Sequence, residues 1–161
     1  MCVSFLQDGE TLEILGFVVR TVKTVDLVID TVNQAVSYRK RSNPTFVRDG
    51  VIHHSDAGSQ YTRLAFRQNL EDHGLRGSMG RVGTAHDNAL MESTIGLYKT
   101  ECVYARWEGF KNGTDLERAT LEWVTWFINT RLHSSLDYKI PFEAFEAFEA
   151  YTRLSLREQA A

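Results

Sequence analysis

Residues 50–58 read GVIHHSDAG, a short run of apolar residues and histidines that ends in an acidic turn. The run Gly50–His54 predicts a short buried strand, and Asp56 follows directly after it. Active sites are commonly built where a chain leaves a sheet, so Asp56 is a candidate catalytic residue. The alternative is that this aspartate only forms the turn, which is the commoner role of Asp at such a position.

Upstream of this stretch, the sequence predicts a hairpin followed by a helix. Residues 3–8 and 12–20 are rich in Val, Leu, Ile and Phe, and Asp8-Gly9 between them favours a tight turn. Thr24 is placed to cap a helix that runs to about Tyr38, because its apolar residues recur at helical spacing.

Downstream, helical patterns dominate. Helices are predicted over residues 62–73, 87–103 and 114–131, and a last one begins at Pro141. The glycine-rich residues 77–83 between the first two helices predict a mobile segment. The Phe-Glu-Ala repeat over residues 142–150 has a period of three, so its phenylalanines drift around the helix axis. Strands, a helix, a strand and then helices indicate an α/β fold.

A second candidate carboxylate, Glu92, lies near the start of the helix predicted over residues 87–103. A buried stripe on this helix is formed by Met91, Ile95, Tyr98 and Cys102. Glu92 lies about 100° around the axis from Met91, and Lys99, nearly two turns on, shares its face. The two are either an ordinary surface pair or a metal ligand and a phosphate contact. Asp87 and Asn88 are placed to cap the helix. The alternative role of Asp87 is that of an additional metal ligand.

The composition and net charge of the chain reduce the number of functional classes to which the protein can belong. The chain has 161 residues, 43% hydrophobic and 24% charged, which indicates one globular domain. A net charge of −3 argues against a protein that coats nucleic acid by bulk positive charge, although Arg39–Arg41 and Arg48 form a basic cluster. The cysteines and histidines match no zinc motif, and no hydrolytic serine motif is present. Apolar runs are too short to span a bilayer, so no membrane partner and a cytoplasmic location are expected.

Three ordered blocks carry a resemblance to a known family. They are His54–Tyr61 (HSDAGSQY), Asp87–Ser93 (DNALMES) and Asn129–Leu136 (NTRLHSSL), followed by Pro141. Together they resemble the DDE transposases of bacterial insertion sequences, whose core is similar to that of retroviral integrases. The 35 residues between Asp56 and Glu92 match the family's spacing of its second and third acidic residues. The resemblance covers residues 2–145 as a partial catalytic core and leaves residues 146–161 as a C-terminal helical tail.

The resemblance implies a ribonuclease-H-like fold, a mixed sheet flanked by helices, that cleaves and joins DNA with two Mg²⁺ or Mn²⁺ ions. Asp56 and Glu92 would be the catalytic metal ligands. DNA contacts would come from Lys99, Gln60, Tyr61 and Arg131, with support from Asp87, Asn88, Asn129 and His133. The expected partners are transposon ends, target DNA and further copies of the chain.

One part of the family pattern has no match. Residues 3–8 and 14–17 resemble the family's second and third strands, and Asp8 matches an aspartate at the hairpin. The first, central strand and its catalytic aspartate are therefore expected to be missing through N-terminal truncation. This predicts either a gap of roughly 10 Å beside residues 3–8 or a new pairing with residues 50–54. It also predicts no transposition activity. The alternatives are a non-catalytic remnant that binds DNA or intact transposase subunits, and a nuclease that cuts without joining.

Overall fold

The computed structural model describes residues 1–43, 50–56, 58–79 and 89–159, with side chains to residue 155. Its elements are β1 (Cys2–Gln7), β2 (Ile14–Arg20), α1 (Val25–Ser42), β3 (Ile52–Ser55), α2 (Leu64–Asp72), β4 (Arg76–Met79), α3 (Ala89–Tyr98), a π-helical turn (Lys99–Val103), α4 (Gly113–Asn129), a 3-10 turn (Ser134–Leu136) and α5 (Pro141–Gln159). The predicted α/β class is confirmed. No helix in these ranges is long and apolar enough to cross a membrane.

The predicted hairpin is confirmed. Strands β1 and β2 pair antiparallel from Cys2 opposite Arg20 to Gln7 opposite Ile14. Asp8 holds the connection, because its Oδ1 accepts hydrogen bonds from the backbone N–H groups of Glu10 and Thr11 at 2.9 and 3.1 Å. The acidic side chain thus substitutes for backbone acceptors in the turn.

Helix α1 packs across the hairpin. Its apolar face buries Leu27, Val28, Val32 and Ala35. Thr24 occupies the N-cap position, but its side chain makes no capping hydrogen bond, so the predicted capping role was wrong. The backbone of α1 comes so close to β2 that a Cβ on Gly16 would lie 2.7 Å from the Thr31 carbonyl oxygen.

Arg39 does not belong to a basic surface, contrary to the expectation for Arg39–Arg41. It is 5% exposed, and its guanidinium contacts Glu13 and Asp8 at 2.9 Å each. Phe145 of α5 covers the same guanidinium, 4.4 Å from the ring centroid. The carboxylates of Asp8 and Glu13 make this burial possible, because a buried charge requires paired partners. Lys40 and Arg41 are exposed, whereas Arg48 lies outside the described residues.

The second pair of strands differs from its prediction. β3 pairs in parallel with β4, with Ile52 opposite Arg76 and Ser55 opposite Met79. The segment predicted to be mobile thus supplies a strand as far as Met79, and residues 80–83 lie outside the described ranges. β3 is not buried, because Ile52 is 63% exposed. Only one edge of β3 has a strand neighbour among the described residues.

The described strands form two separate two-stranded sheets, β1–β2 and β3–β4. Within the described residues β1 and β3 do not pair, so the expected new pairing of residues 3–8 with residues 50–54 is not found, and the gap of roughly 10 Å stays a prediction. Two hydrophobic clusters correspond to this division. One joins Ile14 to Tyr98, Trp123 and Phe127, and the other joins α1 to Phe66 and Leu70 of α2.

Helices α2, α4 and α5 lie close to their predicted ranges, and Gly74 ends α2 with a positive φ of 70°. The boundary proposed between residues 145 and 146 falls inside the continuous helix α5. The division into a core and a tail therefore stays a prediction. Phe142 and Phe148 are exposed while Phe145 covers Arg39, in line with the predicted drift of the repeat around the axis.

Candidate active site

Asp56 lies in a tight turn at the end of β3. Its Oδ1 accepts a hydrogen bond from the backbone N–H of Gly58 at 2.9 Å, and its side chain is exposed. A Cβ on Gly58 would lie 2.8 Å from that same oxygen and 2.7 Å from Nε2 of Gln60. A side chain at residue 58 would therefore displace the ends of the Asp56 and Gln60 side chains, so Gly58 allows this carboxylate to fold back onto its own turn.

Gln60 and Tyr61 support this turn from its inner side. Gln60 is 8% exposed, and the Tyr61 ring packs edge-on against Phe66 with centroids 5.3 Å apart. Burial, followed by the nearby negative charge of Asp56, raises the pKa of Tyr61. The tyrosine therefore keeps its proton at neutral pH. Contact of these two residues with DNA stays a prediction.

Glu92 lies in the first turn of α3, with an exposed side chain. A hydrogen bond fixes this helix relative to the hairpin, because Thr94 Oγ1 donates to Gln7 Oε1 of β1 at 2.7 Å. Thr94 is 2% exposed, so the bond is shielded from water. The sequence analysis missed both residues, since they lie 87 positions apart and neither has a distinctive pattern.

A cleft of about 360 Å³ brings the elements that carry the two carboxylates together. Its lining includes Asp56 with the strand β3, residues of β1, and Leu90, Met91 and Ile95 of α3. Glu92 directly follows Met91 but is not itself a lining residue. Two of the four residues in the predicted stripe thus face this cleft, while Tyr98 and Cys102 are buried in the core as expected.

Lys99 lies where the helix changes its winding. The predicted helix ends as an α-helix at Tyr98 and continues as a π-helical turn, in which the Tyr104 N–H bonds to the Lys99 carbonyl at 2.7 Å. The Thr100 hydroxyl contributes to this change, because it donates to the carbonyls of Gly96 and Leu97. Lys99 is exposed, so its side chain is accessible to an anion.

The block at residues 129–136 makes contacts within the protein. Arg131 pairs with Glu101 at 3.1 Å, and Glu101 also accepts a hydrogen bond from the Trp123 indole at 3.1 Å. His133 is buried, with its ring centroid 4.5 Å from that of Phe127. Burial, followed by the charge of Arg131, lowers the pKa of His133, so the ring is neutral at pH 7.

These contacts bear on the predicted roles of the same block. Asn129 Nδ2 donates to the Thr125 carbonyl at 2.9 Å, a bond within α4. The support roles predicted for Asn129 and His133 stay predictions, as does the contact of Arg131 with DNA. Glu101, the partner of Arg131, was not predicted, because no local pattern distinguishes it from other surface acids.

The described ranges contain no group of three or more His, Cys, Asp or Glu side chains arranged to hold a metal ion. They also contain no salt bridge to Asp56 or Glu92. Both carboxylates thus lack a competing cationic side chain in this part of the structure. Asp87 and Asn88, predicted to cap α3, lie outside the described residues.

Comparison with known proteins defines the class. One family model described as an integrase core domain matches residues 1–85, and a second with the same description matches residues 73–141. The catalytic core domain of BIV integrase has the same fold, with a TM-score of 0.65 at 13% identity, covering 94% of this chain and 89% of that one. A chain of the simian T-cell lymphotropic virus intasome in complex with PP2A regulatory subunit B56 gamma gives a TM-score of 0.66 at 16% identity. The match covers 88% of this chain and 47% of that one.

The chain therefore belongs to the integrase core domain family, and curated relatives that it matches are transposases of insertion sequences. A putative transposase for insertion sequence element IS986/IS6110 of Mycobacterium tuberculosis is 37% identical over 148 residues, 92% of this chain and 52% of the relative. The transposase for insertion sequence element IS629 of Shigella sonnei is 38% identical over 148 residues, which are 92% of this chain and 47% of that relative. The chain spans about half the length of these relatives. The resemblance expected from the three blocks and the ribonuclease-H-like fold are confirmed.

Proposed function

We propose that this chain is the DNA-processing core of a transposase, with Asp56 and Glu92 as its metal-binding carboxylates. The observation that carries the proposal is that one cleft is bordered by the turn of Asp56 and by the first turns of α3, where Glu92 lies. The substrates would be transposon ends and target DNA, and pairing of two ends would require at least two copies of the chain.

The two carboxylates fit divalent ions by their chemistry. Carboxylate oxygens are the ligands that Mg²⁺ and Mn²⁺ prefer, and no described side chain neutralises either group. Divalent ions there would supply activation of water or a DNA 3′-hydroxyl and stabilisation of the leaving oxygen. Tyr61, which keeps its proton, and Gln60 would hold the Asp56 turn in place, and exposed Lys99 would bind a DNA phosphate.

The number of carboxylates limits the expected activity. Two divalent ions about 4 Å apart repel each other by ~17 kcal/mol at an effective dielectric constant of 20. Two carboxylates offset only half of the four positive charges. We therefore expect the 161-residue polypeptide by itself to bind a second ion weakly and to show no transposition activity.

The same count favours a second candidate function, a non-catalytic remnant that binds DNA or intact transposase subunits. Cleavage of a transposon-end duplex by the purified 161-residue chain in Mg²⁺ would exclude this candidate. Cleavage without joining to target DNA would indicate a nuclease instead.

The decisive experiment is a titration with Mg²⁺ or Mn²⁺ followed by thermal unfolding. At ten times its dissociation constant, a bound ion should raise the Tm of the wild-type chain by about 3–6 °C. Asp56→Asn and Glu92→Gln should each abolish the shift, whereas the exposed residues in Asp137→Asn and Glu117→Gln serve as matched controls that retain it. Identical titrations for all five proteins would contradict the proposed metal site.

A further inference from the structure

Helix α3 carries two buried side chains, and both hydrogen-bond to other elements. Among its described residues only Thr94 and Tyr98 are buried. The hydroxyl of Tyr98 lies 2.7 Å from that of Thr120 on α4, whereas Thr94 Oγ1 donates to Gln7 Oε1 of β1 at 2.7 Å. Tyr98 thus holds the end of the helix. Thr94 holds its beginning, two positions after Glu92.

The side chain of Gln7 is fixed at both ends of its amide. Nε2 donates to the Leu12 carbonyl in the hairpin turn at 2.8 Å, and Oε1 accepts from Thr94. The register of the hairpin shifts between Leu6 and Gln7, and an irregularity of this kind re-aims a strand side chain. Gln7 also lines the cleft that the turn of Asp56 borders. The amide therefore joins the hairpin to α3 at the edge of the candidate site.

The contact of Thr94 sets the rotation of α3 about its axis. Thr94 follows Glu92 by two residues, which is about 200° around the helix, so the two side chains leave it on nearly opposite sides. If the helix turned by about 20°, a carboxylate roughly 6 Å from the axis would move by about 2 Å. Distances from a metal ion to its ligands vary by only about 0.2 Å. The position of the Glu92 oxygens thus depends on the buried contact on the opposite face.

We propose that Gln7 and Thr94 are positioning residues for Glu92, because their hydrogen bond holds the first turns of α3 beside the cleft. This inference rests on the proposed function, in which Asp56 and Glu92 bind a metal ion. Gln7 and Thr94 would not contact that ion, since the Gln7 amide bonds to protein groups at both ends and Thr94 is 2% exposed. Loss of residues that orient metal ligands typically weakens metal affinity about 10–100-fold.

The test measures Mn²⁺ affinity by calorimetry at a temperature at which every variant is folded. Thr94→Val keeps the shape of the side chain but removes the donor, and Gln7→Met removes the acceptor. Each should raise the Mn²⁺ dissociation constant by about tenfold. The double variant should bind no more weakly than the weaker single variant, because both changes remove the same hydrogen bond. Thr94→Ser keeps the hydroxyl and should bind Mn²⁺ as the wild-type chain does.

Thr31 provides the matched control for loss of a buried hydroxyl. It is 2% exposed, as Thr94 is, and its Oγ1 donates to the Leu27 carbonyl within α1 at 2.7 Å. Thr31→Val should therefore lower the Tm to a similar extent but leave the Mn²⁺ dissociation constant unchanged. Equal weakening of Mn²⁺ binding by both valine variants would show a general effect of stability and would overturn the proposal.

Amide hydrogen exchange in EDTA gives a second readout that requires no metal. Thr94→Val should accelerate exchange of residues 93–97 about tenfold beyond any change in α4, and Thr94→Ser should restore the wild-type rate. Unchanged exchange in α3, or an equal increase in α4, would overturn the positioning role. Absence of Mn²⁺ binding by the wild-type chain would instead contradict the proposed metal site, and the exchange rates would then decide the positioning role by themselves.

Discussion

The two sheets of this molecule differ in how they are covered. The hairpin β1–β2 is enclosed by α1, α3 and α4, and its aromatic cluster includes Phe5, Trp123 and Phe127. The pair β3–β4 packs on α2 but leaves Ile52 and Met79 63% and 48% exposed. The comparison teaches that one fold can pack a sheet between helices while the strand that leads to a candidate catalytic residue, Asp56, remains open.

The largest expected difference between the halves concerns deletion of an apolar side chain. Phe127 is 1% exposed and contacts both Trp123 and His133, so Phe127→Ala should lower the free energy of unfolding by about 3–5 kcal/mol. Ile52→Ala, in the open half, should change it by no more than about 0.5 kcal/mol. Urea denaturation measures both values. Equal losses would show that β3 is covered in solution.

The second-largest loss of stability is expected in the cluster of charged residues formed by Asp8, Glu13 and Arg39 in the enclosed half. Glu13 is 1% exposed and bonds to both Arg39 and Tyr38, so Glu13→Gln should cost about 1.5–3 kcal/mol. The pKa of Tyr38, raised to about 12 by burial and by its bond to Glu13, should fall in this variant. Ultraviolet absorbance during a pH titration measures the shift. The exposed Glu10→Gln is the control, and a loss as large there would indicate a general charge effect.

Substitution of one glycine in each half by alanine compares how closely the two halves are packed. A Cβ on Gly16 would contact backbone atoms of α1 at 2.7 and 3.1 Å, so Gly16→Ala should cost about 1–3 kcal/mol. A Cβ on Gly77 of β4 would meet only the end of the Leu70 side chain, at 3.3 Å. Gly77→Ala should therefore cost less than about 1 kcal/mol. Thermal unfolding distinguishes the two, and the reverse order would contradict the described packing.

The smallest effect is a dependence of stability on pH. His53 in the open half and His133 in the enclosed half both have pKa values lowered from 6.5, in each case mainly by burial. The unfolded chain then binds more protons, so stability is greatest above pH 6.5 and falls as the pH drops towards the folded-state values. His53→Gln and His133→Gln should each reduce this slope in urea denaturation at several pH values. A free energy of unfolding that increases as the pH falls would contradict this prediction.

Much of the fold was predictable because most elements carry their own periodicity. Helices α1 and α4 each bury a regular apolar face, and the hairpin consists of two apolar runs around the turn-forming Asp8-Gly9, so local sequence records all three. β4 was missed because Arg76–Met79 has no strand-forming residues, and its pairing with β3 creates the strand. The burial of Arg39 depends on Asp8 and Glu13, which lie 31 and 26 positions away.

The candidate site was predictable only in part. Motif resemblance selected Asp56 and Glu92, and the structure gives them elements that border one cleft. The residues that fix this geometry are Gly58 beside Asp56 and the pair Thr94–Gln7 between α3 and β1. Contacts of this kind follow from tertiary packing, so spacing within the sequence does not reveal them.

The contact of Phe145 with Arg39 has a consequence for synthesis of the chain. Together with the bond between Asn43 and Glu149, 106 positions apart, it joins an early segment to a late one. A ribosome adds about 5–20 residues per second, so roughly 5–20 s pass between translation of these two segments. During that interval Arg39 can already pair with Asp8 and Glu13, but the cover that Phe145 gives its guanidinium is completed only after α5 has been made.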